Sequence, residues 1–258
     1  MAEKLRLGGM ALSNGVLVHG PTAWSCAVRL PDGSLKVVSQ RKRIVSSRIQ
    51  NPLLRGPARL VEALALLPAV KRALPEAKLP FEQRSVLAAM AVSAVGVRVV
   101  RGSRLAPVGK ELAAGVLALA PALLSLRGGD LAAYHGAEHI SIGTYEHDEP
   151  RTREHERCGS HLVGPLLATS AAANAVASAA PPRFRRPARA AASVGAVAAS
   201  TELFGWMVRN PEHRLARLLA KPGQELQLRY STKEPTPAQV EVAEAALRAC
   251  LELEGSTA

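Results

Sequence analysis

The chain has 258 residues, 48% of them hydrophobic, which is enough for a sizeable core and excludes general disorder. Its net charge of +12 suits an anionic partner, but the basic residues fall in small groups beside apolar stretches and aromatics make up only 3%. With no recognised nucleic-acid motif and few rings on which bases could stack, no nucleic-acid partner is expected. Cys26, Cys158 and Cys250 are widely spaced and odd in number, which excludes a disulfide framework and implies a reducing environment.

Residues 1–50 read as a small β unit. Trp24, Cys26, Val28 and Leu30 alternate with Ser25, Ala27 and Arg29; the turn signal PDGS follows at Pro31–Ser34, and LKVVSQ supplies a returning strand. Gly8, Gly9, Gly15 and Gly20 mark tight turns or close backbone approaches. The first residues, MAEKLRLGGMALSNG, lack an apolar core of signal-peptide length, so entry into a membrane would use internal segments.

Residues 51–222 read as Ala-rich helices, with apolar segments at Leu60–Leu74, Ser85–Val97, Leu112–Leu126, Leu162–Ala180 and Ala190–Val208. A spanning helix needs about 20 mostly apolar residues. Only Gly159–Pro182 has that length without a formal charge; Ala190–Val208 carries Glu202, which its neighbour Trp206 suggests snorkels to the interface. Hydropathy alone leaves membrane helices and buried Ala-rich helices nearly level.

Residues 223–258 are expected to form a strand, from the alternation of ELQLRYS, and then an amphipathic helix packed on the β unit. Thr236 is the N-cap of that helix, Pro237 its first residue and Gln239 the capping-box partner, with Val240, Ala243, Leu247 and Cys250 as the core stripe.

The chemistry concentrates in AYHGAEHISIGTYEHDE, which begins at Ala133. On a helix with Asp130 as N-cap, His135, His139, Ile142 and Glu146 share one face. Two histidines four apart can reach one metal, and His-x-x-Glu-His is also a metalloprotease spacing in which the glutamate, here Glu138, acts on water. Glu146 lies roughly 10 Å of rise beyond His139, so it joins them only if the helix ends or bends near Gly143. Downstream, EHERCGSH offers His155, Cys158 and His161, good zinc ligands that a reversal after Pro150 would bring back over the helix. The alternatives are an internally paired polar seam, or a nucleophilic Cys158 whose pKa Arg157 lowers. His147 reads as solvated loop and His213 as a helix-start surface residue.

Three separated stretches, GGMALSNGVLVHGP, YHGAEH…YE…RCGS and STKEPTPAQVEVAEAALRACL, resemble the YqhQ family of bacterial membrane proteins, a domain of unknown function once labelled a predicted metal-dependent enzyme. The resemblance implies a multi-pass protein of the cell membrane, with lipids and other membrane proteins as partners. Its motif falls here on His135, Glu138, His139, Tyr145, Glu146, Arg157, Cys158 and Gly159. This chain departs from the pattern at Met10, Asn14 and His19, where Gln, Glu and Arg are usual, at Ile140, where Lys is, and at Ser160, where Thr is.

The expected fold is therefore mainly α, an Ala-rich multi-pass membrane bundle with a β unit before it and a strand and helix after it. Two functions compete. In the first, His135 and His139, with Glu146 or Cys158, hold zinc or another divalent metal and Glu138 is the base of a membrane-embedded hydrolase. In the second, which the lost charged neighbours favour, the cluster is a structural or metal staple in a non-enzymatic factor that binds or stabilises membrane proteins. A catalytic zinc needs three protein ligands and one open position; a staple is closed.

Overall fold

The computed structural model describes residues 4–43, 46, 49–126 and 129–255. Four antiparallel strands, β1 (Gly8–Leu12), β2 (Gly15–His19), β3 (Ala23–Arg29) and β4 (Leu35–Arg41), form a meander in sequence order. The expected PDGS turn joins β3 to β4: Gly33 takes φ +84°, and Asp32 Oδ1 accepts hydrogen bonds from the Ser34 amide at 2.9 Å and hydroxyl at 2.6 Å. Asn14, at the β1–β2 turn, accepts from the Lys78 amide at 2.9 Å and donates to the Glu76 carbonyl at 3.1 Å.

Among the described residues eight α-helices follow: α1 (Pro52–Ala73), α2 (Arg84–Gly102), α3 (Pro107–Ser125), α4 (Asp130–His147), α5 (Val163–Ser178), α6 (Arg185–Arg209), α7 (Arg214–Leu226) and α8 (Pro237–Gly255). Both sheet faces are buried, which the simple alternation of β3 did not foretell. One face, with Val16, Val18 and Ala27, packs on α4 and α8; the other, with Leu17, Trp24 and Val28, packs on Leu66, Val70 and Leu74 of α1. The α8 capping box forms as expected, the Thr236 amide donating to Gln239 Oε1 at 2.9 Å. Ala243, Leu247 and Cys250 are buried against the sheet, with Val240 partly so. At its far end Glu254 accepts from the Thr22 and Ala23 amides, both at 2.7 Å, closing the β2–β3 turn.

The remaining helices pack in pairs, α2 with α3 and α5 with α6. The Ser93 hydroxyl donates to the Leu117 carbonyl at 2.8 Å, and Thr169 to that of Ala196 at 3.0 Å. Outside these seams the helices expose many apolar side chains: Leu87, Val92, Val95 and Val99 of α2, Val116 of α3 and Val194 of α6 are exposed. Among the described residues two helical stretches, Arg84–Gly102 and Pro182–Arg209, are long and apolar enough to cross a membrane. The α3–α4 pair would add a third only as one broken span, bent by 93°. Most of α4 is instead buried against the sheet and α8, outside the apolar bundle.

Two sequence expectations differ from the structure. The uncharged stretch Gly159–Pro182 is not the best span: it opens with a 3₁₀ turn (Gly159–Leu162), and its helix has only 16 residues. Glu225–Ser231 is not a strand. α7 continues to Leu226 and a π-helical turn covers Gln227–Ser231, because the Gln227 side chain must turn inward to satisfy loop carbonyl and amide groups. The boundary at residue 222 thus falls inside α7. Glu202 has a partner that the sequence reading did not name: Arg55 holds it across the α1–α6 contact, Arg55 Nε donating to Glu202 Oε1 at 2.5 Å.

Candidate metal centre

α4 carries the site. It begins after Gly129, in a positive-φ conformation (φ +91°), so Asp130 is its first residue and not the cap. It ends at Asp148, whose left-handed backbone (φ 58°) and the nearby Pro150 stop the helix. His147 is the last helical residue, its Nδ1 bonded to the Gly143 carbonyl at 3.0 Å. The chain then reverses and lies back along α4, as the proline and motif order imply.

Gly136 makes this close packing possible. A Cβ there would stand 2.2 Å from the Lys233 carbonyl oxygen, and the Lys233 amide donates to the Ala132 carbonyl at 2.9 Å. The segment after α7 therefore sits directly on α4. Gln227 pins the returning loop from the other side: its Oε1 accepts from the His155 amide at 2.8 Å, and its Nε2 donates to the His155 carbonyl at 3.1 Å and to Ser160 Oγ at 2.9 Å. Gln227 was missed by sequence reasoning because it lies in the segment read as a strand.

His135, His139 and Cys158 converge, each offering one donor atom within 4.8 Å of the others. His135 Nε2 is 3.5 Å from Cys158 Sγ, and the two imidazole centroids are 4.3 Å apart. The other nitrogen of each ring is occupied. His135 Nδ1–H donates to the Ser231 carbonyl and His139 Nδ1–H to that of Arg153, both at 2.7 Å. Carbonyls only accept, so each ring keeps its proton on Nδ1 and presents a bare Nε2 lone pair to the cluster. This is the arrangement that orients histidines for a metal. Burial, and then the neighbouring His135, push the His139 pKa far down, so the ring stays neutral. Two imidazoles and one sulfur fit a borderline-soft divalent ion such as zinc.

The remaining motif residues take other roles. Glu146 does not join the trio, since α4 runs unbroken to His147; it is held by Arg157 and by His155 Nε2, the latter at 3.2 Å. His155 stacks near His139, with centroids 5.5 Å apart, and His161 Nδ1 meets Gln227 Nε2 at 3.1 Å. Tyr145 is half-buried at the edge of the core, and Gly159 opens the 3₁₀ turn. Arg157 is engaged by Glu146, and burial pushes the Cys158 thiol up from its ordinary value; both oppose a free nucleophilic thiolate.

A cavity of about 400 Å³ adjoins the trio, lined by His135, His139, Cys158 and apolar groups that include Met10, Leu126 and Ile142. Glu138 is the one carboxylate among its lining residues, and is only 6% exposed. Burial pushes its pKa up to about 7, against the lowering influence of His135. β1 closes the cavity over it: a Cβ on Gly9 would lie 2.2 Å from Glu138 Oε1.

No curated protein and no solved structure matches the chain. Residues 130–253, which run from α4 through the returning loop and α7 to α8, match the family model described as a protein of unknown function (DUF1385).

Proposed function

We propose that the protein is a membrane-embedded, metal-dependent hydrolase, with His135, His139 and Cys158 as ligands and Glu138 as general base. One observation carries this reading: three converging donor side chains face a cavity whose only lining carboxylate is Glu138, so the donor set leaves one side open. A closed staple would bring a fourth donor into the cluster; three other motif side chains are engaged elsewhere, Glu146 by Arg157, His155 by Glu146, and His161 by Gln227. When bound, zinc would supply Lewis acidity toward water and the scissile carbonyl. Glu138 takes the proton from the attacking water and returns it to the leaving group. The apolar wall of buried Ile142 and half-buried Met10 and Leu126 limits the access of bulk water and receives the apolar part of the substrate, an ester or amide carried on an apolar chain. Exposed apolar residues on α2, α3 and α6 support a multi-pass setting like that of the YqhQ-like proteins that three stretches of the sequence together resemble.

Cobalt substitution of the detergent-purified protein is the test. One equivalent of Co²⁺ should bind in the wild type and be lost in His135→Ala/His139→Ala. A thiolate charge-transfer band should vanish in Cys158→Ser, and added azide should shift the visible bands by occupying the open position. A spectrum that ignores azide denotes a closed structural site. Absence of metal from folded wild type removes the hydrolase reading and leaves the non-enzymatic membrane factor.

A further inference from the structure

α7 differs from the other exposed helices in being apolar on one side and basic beside it. At about 100° per residue, Leu215, Leu218, Leu219, Pro222 and Leu226 fall within an arc of about 100°. The face that packs on the protein, with Ala216 and Gly223, lies roughly 90° around the helix, so the leucine face is not the one it buries. Leu215 and Leu218 are 47% and 65% exposed. On the other flank of the leucines stand Arg214, Arg217 and Lys221, all exposed. Arg217 has a loose contact of 3.8 Å with Glu212, and among the described residues Arg214 and Lys221 have no ion-pair partner.

Its place in the chain gives the occupant. α7 follows the apolar stretch Pro182–Arg209 after the short link Asn210–His213. At the end of that stretch Trp206 packs edge-on against His213, the N-cap of α7, with ring centroids 5.0 Å apart. A tryptophan closing an apolar span marks the level of the lipid headgroups. Beyond the other end of α7, Leu228 and Tyr230 are exposed as well.

We propose that α7 is an interfacial helix that binds an anionic bilayer surface, with Leu215 and Leu218 at the acyl boundary and Arg214, Arg217 and Lys221 on the headgroups. This rests on the reading of α6 as a span and is independent of the metal. A monolayer of apolar tails and negative phosphates complements both halves of the helix, whereas water covers only the basic half. The helix also reaches the candidate metal centre from behind. Gly223 fits against the backbone of Ser160 and His161, where a Cβ would come within 2.5 Å of the Ser160 carbonyl oxygen, and Gln227 pins the returning loop. A membrane-bound α7 therefore holds the Cys158 segment at the bilayer surface.

Hydrogen–deuterium exchange on the full chain, one copy per nanodisc, tests this. In nanodiscs of about one-third phosphatidylglycerol, exchange of the Leu215–Lys221 amides should be at least about tenfold slower than in pure phosphatidylcholine. Arg214→Gln/Arg217→Gln/Lys221→Gln should abolish the difference, and replacement of both arginines by lysine should keep it. Unchanged exchange in α8 serves as the folding control for each variant. Equal exchange in the two lipids overturns the proposal. Strong protection of α6 alongside such equality leaves the span standing without the interfacial helix, whereas loss of protection in both overturns both.

Discussion

His135 and Cys158 are 23 positions apart, yet Nε2 and Sγ meet at 3.5 Å because one rides on α4 and the other on the loop that Gln227 pins back over it. The ring is poised by a residue far away in sequence, the thiol by its immediate neighbours. The Ser231 carbonyl fixes the ring, and the 3₁₀ turn at Gly159 fixes the thiol. If the pair exists to hold a metal, Cys158→Ser exchanges a soft donor for a hard one that ionises far less readily. Zinc affinity, measured by competition with a chelator, should then fall by more than the roughly 10–100-fold typical of losing only a ligand's hydrogen-bond partner. Unchanged affinity would remove Cys158 from the ligand set.

Gly9 and Glu138 give a sharper test of the cavity. A methyl group on Gly9 would meet Glu138 Oε1 at 2.2 Å and Cγ at 2.6 Å, so the stem as well as the tip of the side chain is in the way. Gly9→Ala should cost about 1–3 kcal/mol, the usual range for overpacking. Glu138→Ala added to it should recover most of that loss. Thermal unfolding of the two single variants and the double variant measures the coupling. Additive losses would place Glu138 away from β1.

Some of this was legible in the sequence and some was not. Local chemistry was readable: the PDGS turn, the Thr236–Gln239 capping box and the α8 stripe each depend on residues within a few positions of one another. The spacing of His135 and His139 and the reversal at Pro150 likewise announced a polar cluster. The place of Glu146 was not readable. Glu146 shares the histidine face by helical periodicity, but an unbroken helix carries it away from the trio and into the grasp of Arg157 and His155. Gln227 failed for a different reason. Alternation of polar and apolar residues signals a strand only when a sheet edge is there to receive it, and the edges here are distant in the chain.

His19 reports on the opposite corner of the sheet. Burial, and then the Lys42 charge, lower its pKa to about 4; Lys42 Nζ donates to His19 Nδ1 at 3.1 Å, and the buried Glu62 acts in the raising direction. The folded pKa lies below the unfolded value of about 6.5, so the unfolded chain takes up the proton first as the pH falls. The contribution of neutral His19 is thus complete above about pH 6.5 and is lost progressively down to about pH 4, by up to about 3 kcal/mol. In detergent, the wild-type unfolding midpoint should fall across that window more than that of His19→Gln. Parallel profiles would show that His19 titrates alike in both states.

Arg55 and Glu202 offer a test of whether α6 lies in lipid. The pair bridges α1 and α6 within the apolar stretch Pro182–Arg209, about one helical turn before Trp206. In water such a pair contributes little, because each partner released from the other is simply solvated. Under a bilayer, removing one partner strands the other charge in an apolar surround, whereas removing both leaves nothing to solvate. Arg55→Met and Glu202→Met should therefore each lower the unfolding temperature in nanodiscs by more than the double variant does. The opposite ordering, with small single effects and an additive double, would put this level of α6 in water. Protection of the neighbouring backbone amides would then be expected to disappear as well, since water reaching the ion pair would reach the helix that carries it.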